Sequence, residues 1–212
     1  MAQQLGTVIY ALRYRPPDVT GRLDVTGKDV AVIGQGSAGA FFTFLLKRAG
    51  AARVLVSDKS PARLAYASKL GADLTVDANV SDFTAAVLEA TGGKGAGLVV
   101  EAVGSRETFP QSLELAARGA TLIWFGLPED AGEYPLVFNT FFRRGLTAYS
   151  NFGAQGEPNL ESFRYAVRLI ADGAIDVAPL LSHMLPIEQV GEAFQIAHDR
   201  SDNALKVTIK FR

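Results

Sequence analysis

The stretch VAVIGQGSAG, residues 30–39, constrains this chain more than any other. Apolar, mostly β-branched residues run directly into glycines at positions 34, 36 and 39, and the residues that follow, AGAFFTFLLKRAG, read as a helix. A buried strand that becomes a helix through G-x-G-x-x-G is the layout of a turn that holds a phosphate-bearing ligand. Gly34 permits the tight turn, Gly36 lets a pyrophosphate approach the backbone, and Gly39 allows the helix to pack closely on the strand. The N–H groups of Ser37, Ala38 and Gly39 then face the ligand's negative charge at the positive end of the helix dipole.

A dinucleotide site of this kind asks for an acid at the end of the second strand, about 20 residues on. Asp58, closing RVLVSD, stands there. A carboxylate at that place bonds the ribose hydroxyls and repels the additional phosphate of NADP. The next residue is Lys59 rather than arginine, so NAD is the expected cofactor. The competing reading makes Asp58 a cap for the helix beginning near Pro61 and leaves the glycines to shape a loop.

The rest of the chain alternates short apolar runs with longer amphipathic ones, the signal of parallel strands joined by crossover helices. Strands are expected at 29–33, 53–57, 74–76, 97–103, 121–125 and 146–151. Helices are expected at 38–49, at 61–70 with Ser60 as N-cap and Gly71 as stop, at 82–91 with Ser81 near its cap, and around 109–117. Six parallel strands make two mononucleotide-binding halves of a doubly wound (Rossmann) α/β sheet. Residues 126–138 read as irregular. Toward the C-terminus, a helix at 160–172, an extended piece at 180–185, a helix at 187–198 and a strand at 205–211 form a short α+β extension. At the other end, residues 5–13 read as a helix cut by Pro16-Pro17. The organisation expected is a linking helix in 1–20, a nucleotide-binding domain in 21–175 and a separate C-terminal segment in 176–212.

Composition narrows the chemistry. With no cysteine and two histidines, His183 and His198, a zinc site of this chain's own residues is not expected. The 21 basic and 22 acidic residues include no long basic run, and no apolar run spans a bilayer, so neither nucleic acid nor membrane is an expected partner. A cytoplasmic location follows by default. Gly104 and Gly126 follow apolar strands, at the edge where open α/β sheets bind ligands, and each reads equally well as an ordinary turn glycine. Glu101, inside an apolar strand, reads as hydrogen-bonded structure rather than a catalytic acid. Phe41, Phe42, Phe44, Leu45 and Leu46 make a helix apolar on nearly all sides, hence one covered on both faces.

Five segments in order, GKDVAVIGQGSAG, GAARVLVSDKSPARLAYASKLGAD, TGGKGAGLVVEAVGS, GATLIWFGLP and NALKVTIK, resemble the medium-chain, zinc-type alcohol and polyol dehydrogenases. The resemblance implies hydride transfer between an alcohol carbon and NAD(P). It implies that Gly34, Gly36 and Gly39 form the pyrophosphate turn, that Asp58 binds the adenosine ribose, and that Arg63 assists it. It further implies that Ala102, Val103 and Gly104 flank the ribose and nicotinamide, and that Phe125, Gly126, Ser150 and Phe152 hold the carboxamide by backbone groups. The strands TLIWF and LTAYS resemble the edge through which such enzymes extend their sheets, so a homodimer is expected.

One departure limits the functional reading. In the family a preceding substrate domain supplies the cysteine, histidine and acidic zinc ligands and the proton relay, whereas this chain begins at about the linking helix. Alone it is therefore expected not to oxidise an alcohol. The segment from about Val177 to Arg212, which in the family packs on that domain, is expected to be mobile or reused, for instance in a dimer contact. Two other readings stay open: a stand-alone NAD(H) sensor or dimerisation module, and an S-adenosylmethionine-dependent methyltransferase, which VEAVGS after the fourth strand suits less well.

Overall fold

The computed structural model describes residues 1–13, 23–151, 153–199 and 201–211, so Pro16, Pro17 and Phe152 lie outside the described residues. Short runs of valine, leucine, isoleucine and alanine become strands, because β-branched and small apolar side chains suit a pleated surface buried on both faces. In chain order the elements are α1 (Ala2–Arg13), β1 (Asp29–Ile33), α2 (Ser37–Arg48), β2 (Arg53–Asp58), α3 (Pro61–Lys69), β3 (Leu74–Asp77), α4 (Phe83–Ala90) and β4 (Ala96–Glu101). There follow α5 (Thr108–Leu115), β5 (Ala116–Trp124), α6 (Phe138–Arg144), β6 (Thr147–Ser150), α7 (Glu161–Ala171), β7 (His183–Pro186), α8 (Val190–Asp199) and β8 (Val207–Lys210).

The first six strands are parallel and lie in the order β3-β2-β1-β4-β5-β6, the doubly wound arrangement expected from the alternation. Successive residues of each strand enter opposite cores. Val30, Val32, Val54, Val56, Leu98 and Val100 face α1, α2, α3 and α7, while Ala31, Ile33, Leu55, Val99 and Leu122 face α4 and α5. Phe41 and Phe42 are fully buried between the sheet and α1 with α7, which accounts for the all-round apolar character of α2.

Polar staples fix the amino ends of the strands. The Arg53 guanidinium holds both Asp29 oxygens at 2.7 Å across β1 and β2. Asp73 accepts from the Val54 amide and from Lys47, both at 2.7 Å. Burial opposes the Asp73 charge, yet these two bonds and the charges of Lys47 and Arg53 outweigh it and hold the carboxyl below its usual range.

Several boundaries differ from expectation, each for a local reason. Asp82, not Ser81, caps α4 by accepting from the Thr84 amide at 2.8 Å. α5 ends at Leu115, and β5 begins at Ala116 because the ladder pairs Ala96 with Ala116 before shifting register to Leu98 and Thr121. α6 gave no periodic signal: it is 7 residues long, has no buried residue, and its pair Phe138 and Phe142 faces outward. Residues 178–180 coil into a 3-10 turn before β7 starts at His183, so the extended piece is shorter than read. The C-terminal strands β7 and β8 are parallel and joined by α8, a small βαβ unit of their own. Among the described residues no helix is long and apolar enough to cross a membrane.

Helix α1 rests on α7 at one close point. A Cβ at Gly6 would lie 2.9 Å from the Phe163 Cα, so only glycine permits this approach. Gly6→Leu is expected to lower the unfolding free energy by about 1–3 kcal/mol through this backbone clash. An unchanged urea midpoint would mean that α1 does not rest on α7 in solution.

Candidate functional site

The strand ends that carry the glycine turns meet at one crevice. β1 and β4 are neighbours whose crossovers leave on opposite faces, and the turns after them touch at the edge where open α/β sheets bind ligands. Each glycine of GQGSAG occupies a different local situation. Gly34 has φ +87°, a backbone that side chains rarely adopt, and a Cβ there would lie 2.6 Å from the Val103 Cγ2. A Cβ on Gly39 would lie 1.8 Å from the Gly34 carbonyl oxygen, so the first turn of α2 packs directly on the loop. Gly36 differs from both: its φ of -60° is open to any residue, and a Cβ there would meet nothing within 4 Å.

Gly36 is also the N-cap of α2 and offers no side-chain bond to the amides that follow, so the amides of Ser37, Ala38 and Gly39 open the helix without a side-chain cap. The side chain of Gln35 is turned inward instead. Its Nε2 donates to the Gly34 carbonyl and its Oε1 accepts from Thr43, both at 3.0 Å. Ser37 Oγ donates to Gln4 Oε1 of α1 at 2.6 Å, which ties the first helix to the turn.

Asp58 ends β2 beside this turn. One carboxylate oxygen accepts from the Gln35 amide at 2.7 Å and the other from the Ser60 amide at 2.8 Å. Arg63 Nη1 lies 3.7 Å from the first of these, and both side chains are largely covered. Asp58 therefore bonds the backbone at the start of α3, while Ser60 is the N-cap and accepts from the Arg63 amide. Each carboxylate oxygen has two acceptor sites, so these bonds leave acceptor capacity for a ribose.

Across the switch point, Glu101 is almost fully buried and organises the second turn. Its Oε1 accepts from the amides of Val103 and Gly104 and from the Thr108 hydroxyl, each at 2.8 Å. Gly104 has φ +91°, and a Cβ there would come within 1.9 Å of the Leu127 carbonyl oxygen. A Cβ on Gly126 would lie 2.1 Å from the Gly104 amide nitrogen. Both glycines, each readable as an ordinary turn residue, are thus required by close backbone packing of the loops after β4 and β5.

These loops and α1 enclose a cavity of about 710 Å³. Of the residues singled out in the sequence, Glu101, Gly104, Phe125, Gly126 and Ser150 line it. Gly34, Gly36, Ser37, Ala38, Gly39, Asp58, Arg63, Ala102 and Val103 do not line it; Gly34, Ser37 and Gly39 are buried, whereas Val103 is exposed. The reading from sequence missed Gln4 and Thr7 of α1, the aromatic wall of Phe109, Trp124 and Tyr134, and Lys206, all of which line the cavity. Phe109 and Trp124 have ring centroids 4.4 Å apart, and Trp124 Nε1 donates to Ser112 Oγ at 3.1 Å. Tyr134 is fixed by donating to the Gly104 carbonyl and accepting from the Glu129 amide. No motif marks these positions, because tertiary contact alone gathers them.

Zinc does not fit this set of donors. The sequence has no cysteine, and among the described residues no three His, Asp or Glu side chains converge as a metal site.

Comparison with known proteins places the chain. A family described as zinc-binding dehydrogenase matches residues 38–172. An L-threonine 3-dehydrogenase of Bacillus velezensis is 34% identical over 172 residues, 81% of this chain and 48% of its own length. L-idonate 5-dehydrogenase of Escherichia coli superposes with a TM-score of 0.80 at 26% identity, over 99% of this chain and 56% of its own. A zinc-binding dehydrogenase of Sinorhizobium meliloti, bound to NADP, superposes with a TM-score of 0.79 at 24% identity, over 98% and 56% of the two chains. The chain thus spans about half the length of the relatives it matches. It belongs to the zinc-binding dehydrogenase family.

Proposed function

We propose that this chain is the NAD(H)-binding portion of a zinc-type alcohol or polyol dehydrogenase, an oxidoreductase that moves a hydride between an alcohol carbon and the dinucleotide. The observation that carries the reading is Gly36. Nothing in the fold asks for glycine there, since its φ is ordinary and its missing side chain would meet only open space. An approaching pyrophosphate explains that residue, just as close packing explains Gly34 and Gly39.

In this reading the amides of Ser37, Ala38 and Gly39 bind the pyrophosphate at the uncapped end of α2. Asp58 accepts from the adenosine ribose hydroxyls with Arg63 beside it. Ala102, Val103, Gly104, Phe125, Gly126 and Ser150 border the nicotinamide half, and Phe152 belongs to the same carboxamide-holding segment. Lys206 adds a positive charge at the cavity for a doubly charged ligand. When bound, the nicotinamide supplies the hydride acceptor or donor. NAD is favoured over NADP because Asp58 repels a phosphate on the ribose, in contrast to the NADP held by the Sinorhizobium meliloti protein. The zinc donors would have to come from outside these 212 residues.

A homodimer through the sheet edge belongs to the same reading. It is supported by the terminal position of β6 and by the exposure of Leu136, Val137, Phe138 and Phe142 next to it. Sedimentation equilibrium is expected to give twice the chain mass; a monomer at all concentrations would sink the dimer alone.

The decisive test is fluorescence titration of the full chain with NADH and with NADPH, read by quenching of Trp124 in the cavity wall. Saturable binding that favours NADH is expected. Gly36→Ala should keep the thermal midpoint, because its Cβ has room, yet weaken NADH at least about tenfold by blocking the phosphate. Equal affinity of Gly36→Ala and the unmodified chain would overturn the assignment of the turn.

A further inference from the structure

The C-terminal βαβ unit reaches both ends of the proposed groove, and Arg63 stands where it does so. Arg63 Nη2 donates to the Ala204 carbonyl at 3.0 Å, while Nη1 lies 3.7 Å from Asp58 Oδ2. One guanidinium therefore spans the ribose-side carboxylate and the loop before β8, a use of its planar fork that a lysine cannot match. Ala204 is buried under it.

Two residues further on is Lys206, the one basic side chain lining the cavity among the described residues. The backbone between them is held at its far end by Ser182, whose Oγ accepts from the Leu205 amide at 2.9 Å and the Lys206 amide at 3.2 Å. Segment 204–206 is thus clamped between Arg63, which belongs to the sheet domain, and Ser182, which belongs to the unit itself. Among the described residues of the unit, Leu185, Ala193 and Ala204 are the buried apolar ones, while Met184, Phe194 and Phe211 are 59%, 73% and 70% exposed.

We propose that Arg63 is a positioning residue: by holding the Ala204 carbonyl it docks the C-terminal unit so that Lys206 reaches the cavity, and it couples that docking to Asp58. This rests on the dinucleotide reading above. Arg63 then contributes to affinity at a distance, through an ammonium delivered to the other half of the groove. A ligand that engages Asp58 and one that engages Lys206 favour the same docked arrangement, so docking and binding reinforce each other.

The test uses the full chain with Arg63→Ala, Lys206→Ala and the double substitution, NADH titration at several salt concentrations, and hydrogen exchange of residues 183–210 without ligand. Each single substitution is expected to weaken NADH about tenfold and to flatten the salt dependence. The double substitution should be no more than about twofold weaker than Arg63→Ala alone, since Lys206 is already displaced. Arg63→Ala should speed exchange in β7 and β8, whereas Lys206→Ala should not. Arg63→Gln, which keeps an amide donor for Ala204 without the charge, should retain more exchange protection than Arg63→Ala and serves if the alanine variant fails to fold. Unchanged exchange in both Arg63 variants, or affinity losses that multiply, would overturn the proposal. If the unmodified chain does not bind NADH, the cofactor reading falls instead, and exchange still decides whether Arg63 docks the unit.

Discussion

One buried carboxylate holds together the seam on which the crevice depends. Glu101 ends β4 at the point where the two halves of the sheet meet, and its polar side chain is almost fully buried. Such a group persists only when hydrogen bonds replace its hydration. Here two backbone amides and the Thr108 hydroxyl converge on a single oxygen. The second oxygen lies where a Cβ on Gly126 would come within 2.6 Å, so the glycine makes room for it. The backbone carbonyl of Glu101 in turn accepts from the amides of Phe125 and Gly126 at 2.8 and 2.9 Å. The loop after β4, the loop after β5 and the β1 turn behind Val103 are consequently positioned by one residue.

That arrangement explains why the cavity sits where it does. In a parallel sheet every strand delivers its outgoing loop to the same edge, and at the switch point between β1 and β4 the crossovers part to opposite faces. Loops that part leave a gap. The gap is bordered by Gly104 and Gly126, whose loops pack closely on each other, and by α1, which Gly6 allows to sit close on α7. The apolar side of the gap is formed by Phe109, Trp124 and Phe125.

The sheet and its crossovers were legible because their signals are local and repeated: apolar runs of strand length, Ser60 before Pro61, Gly71 after a helix, and glycines spaced for one turn. α6 was not legible because a helix of 7 residues with no buried position has no apolar periodicity to read. Glycine 36 and glycine 39 were legible together, but only coordinates separate them, since one faces open space and the other a carbonyl oxygen at contact distance. Gln4, Tyr134 and Lys206 stand far apart in the chain and carry no motif, and they meet only through the packing of α1, the β5 loop and the C-terminal unit. For Asp58 the carboxylate bonds the Ser60 amide and the Gln35 amide at once, while Ser60 and not Asp58 caps α3.

The cavity's polar groups bear on how the proposed chemistry would be divided. An alcohol gives up a hydride only as its hydroxyl proton departs, so a complete site needs a group to take that proton or to polarise the oxygen. Of the side chains lining the cavity, the Glu101 carboxylate accepts from Val103, Gly104 and Thr108, and the Tyr134 hydroxyl from Glu129 while donating to Gly104. The Thr7 hydroxyl donates back to the Gln3 carbonyl of its own helix. His183 and His198 lie on β7 and α8 and do not border the cavity. The Glu101 Oε1, Tyr134 and Thr7 bonds thus hold the walls, while the Ser150 and Lys206 side chains also border the cavity. Under the proposed reading the bound nicotinamide supplies the redox chemistry, and these walls supply the shape around it.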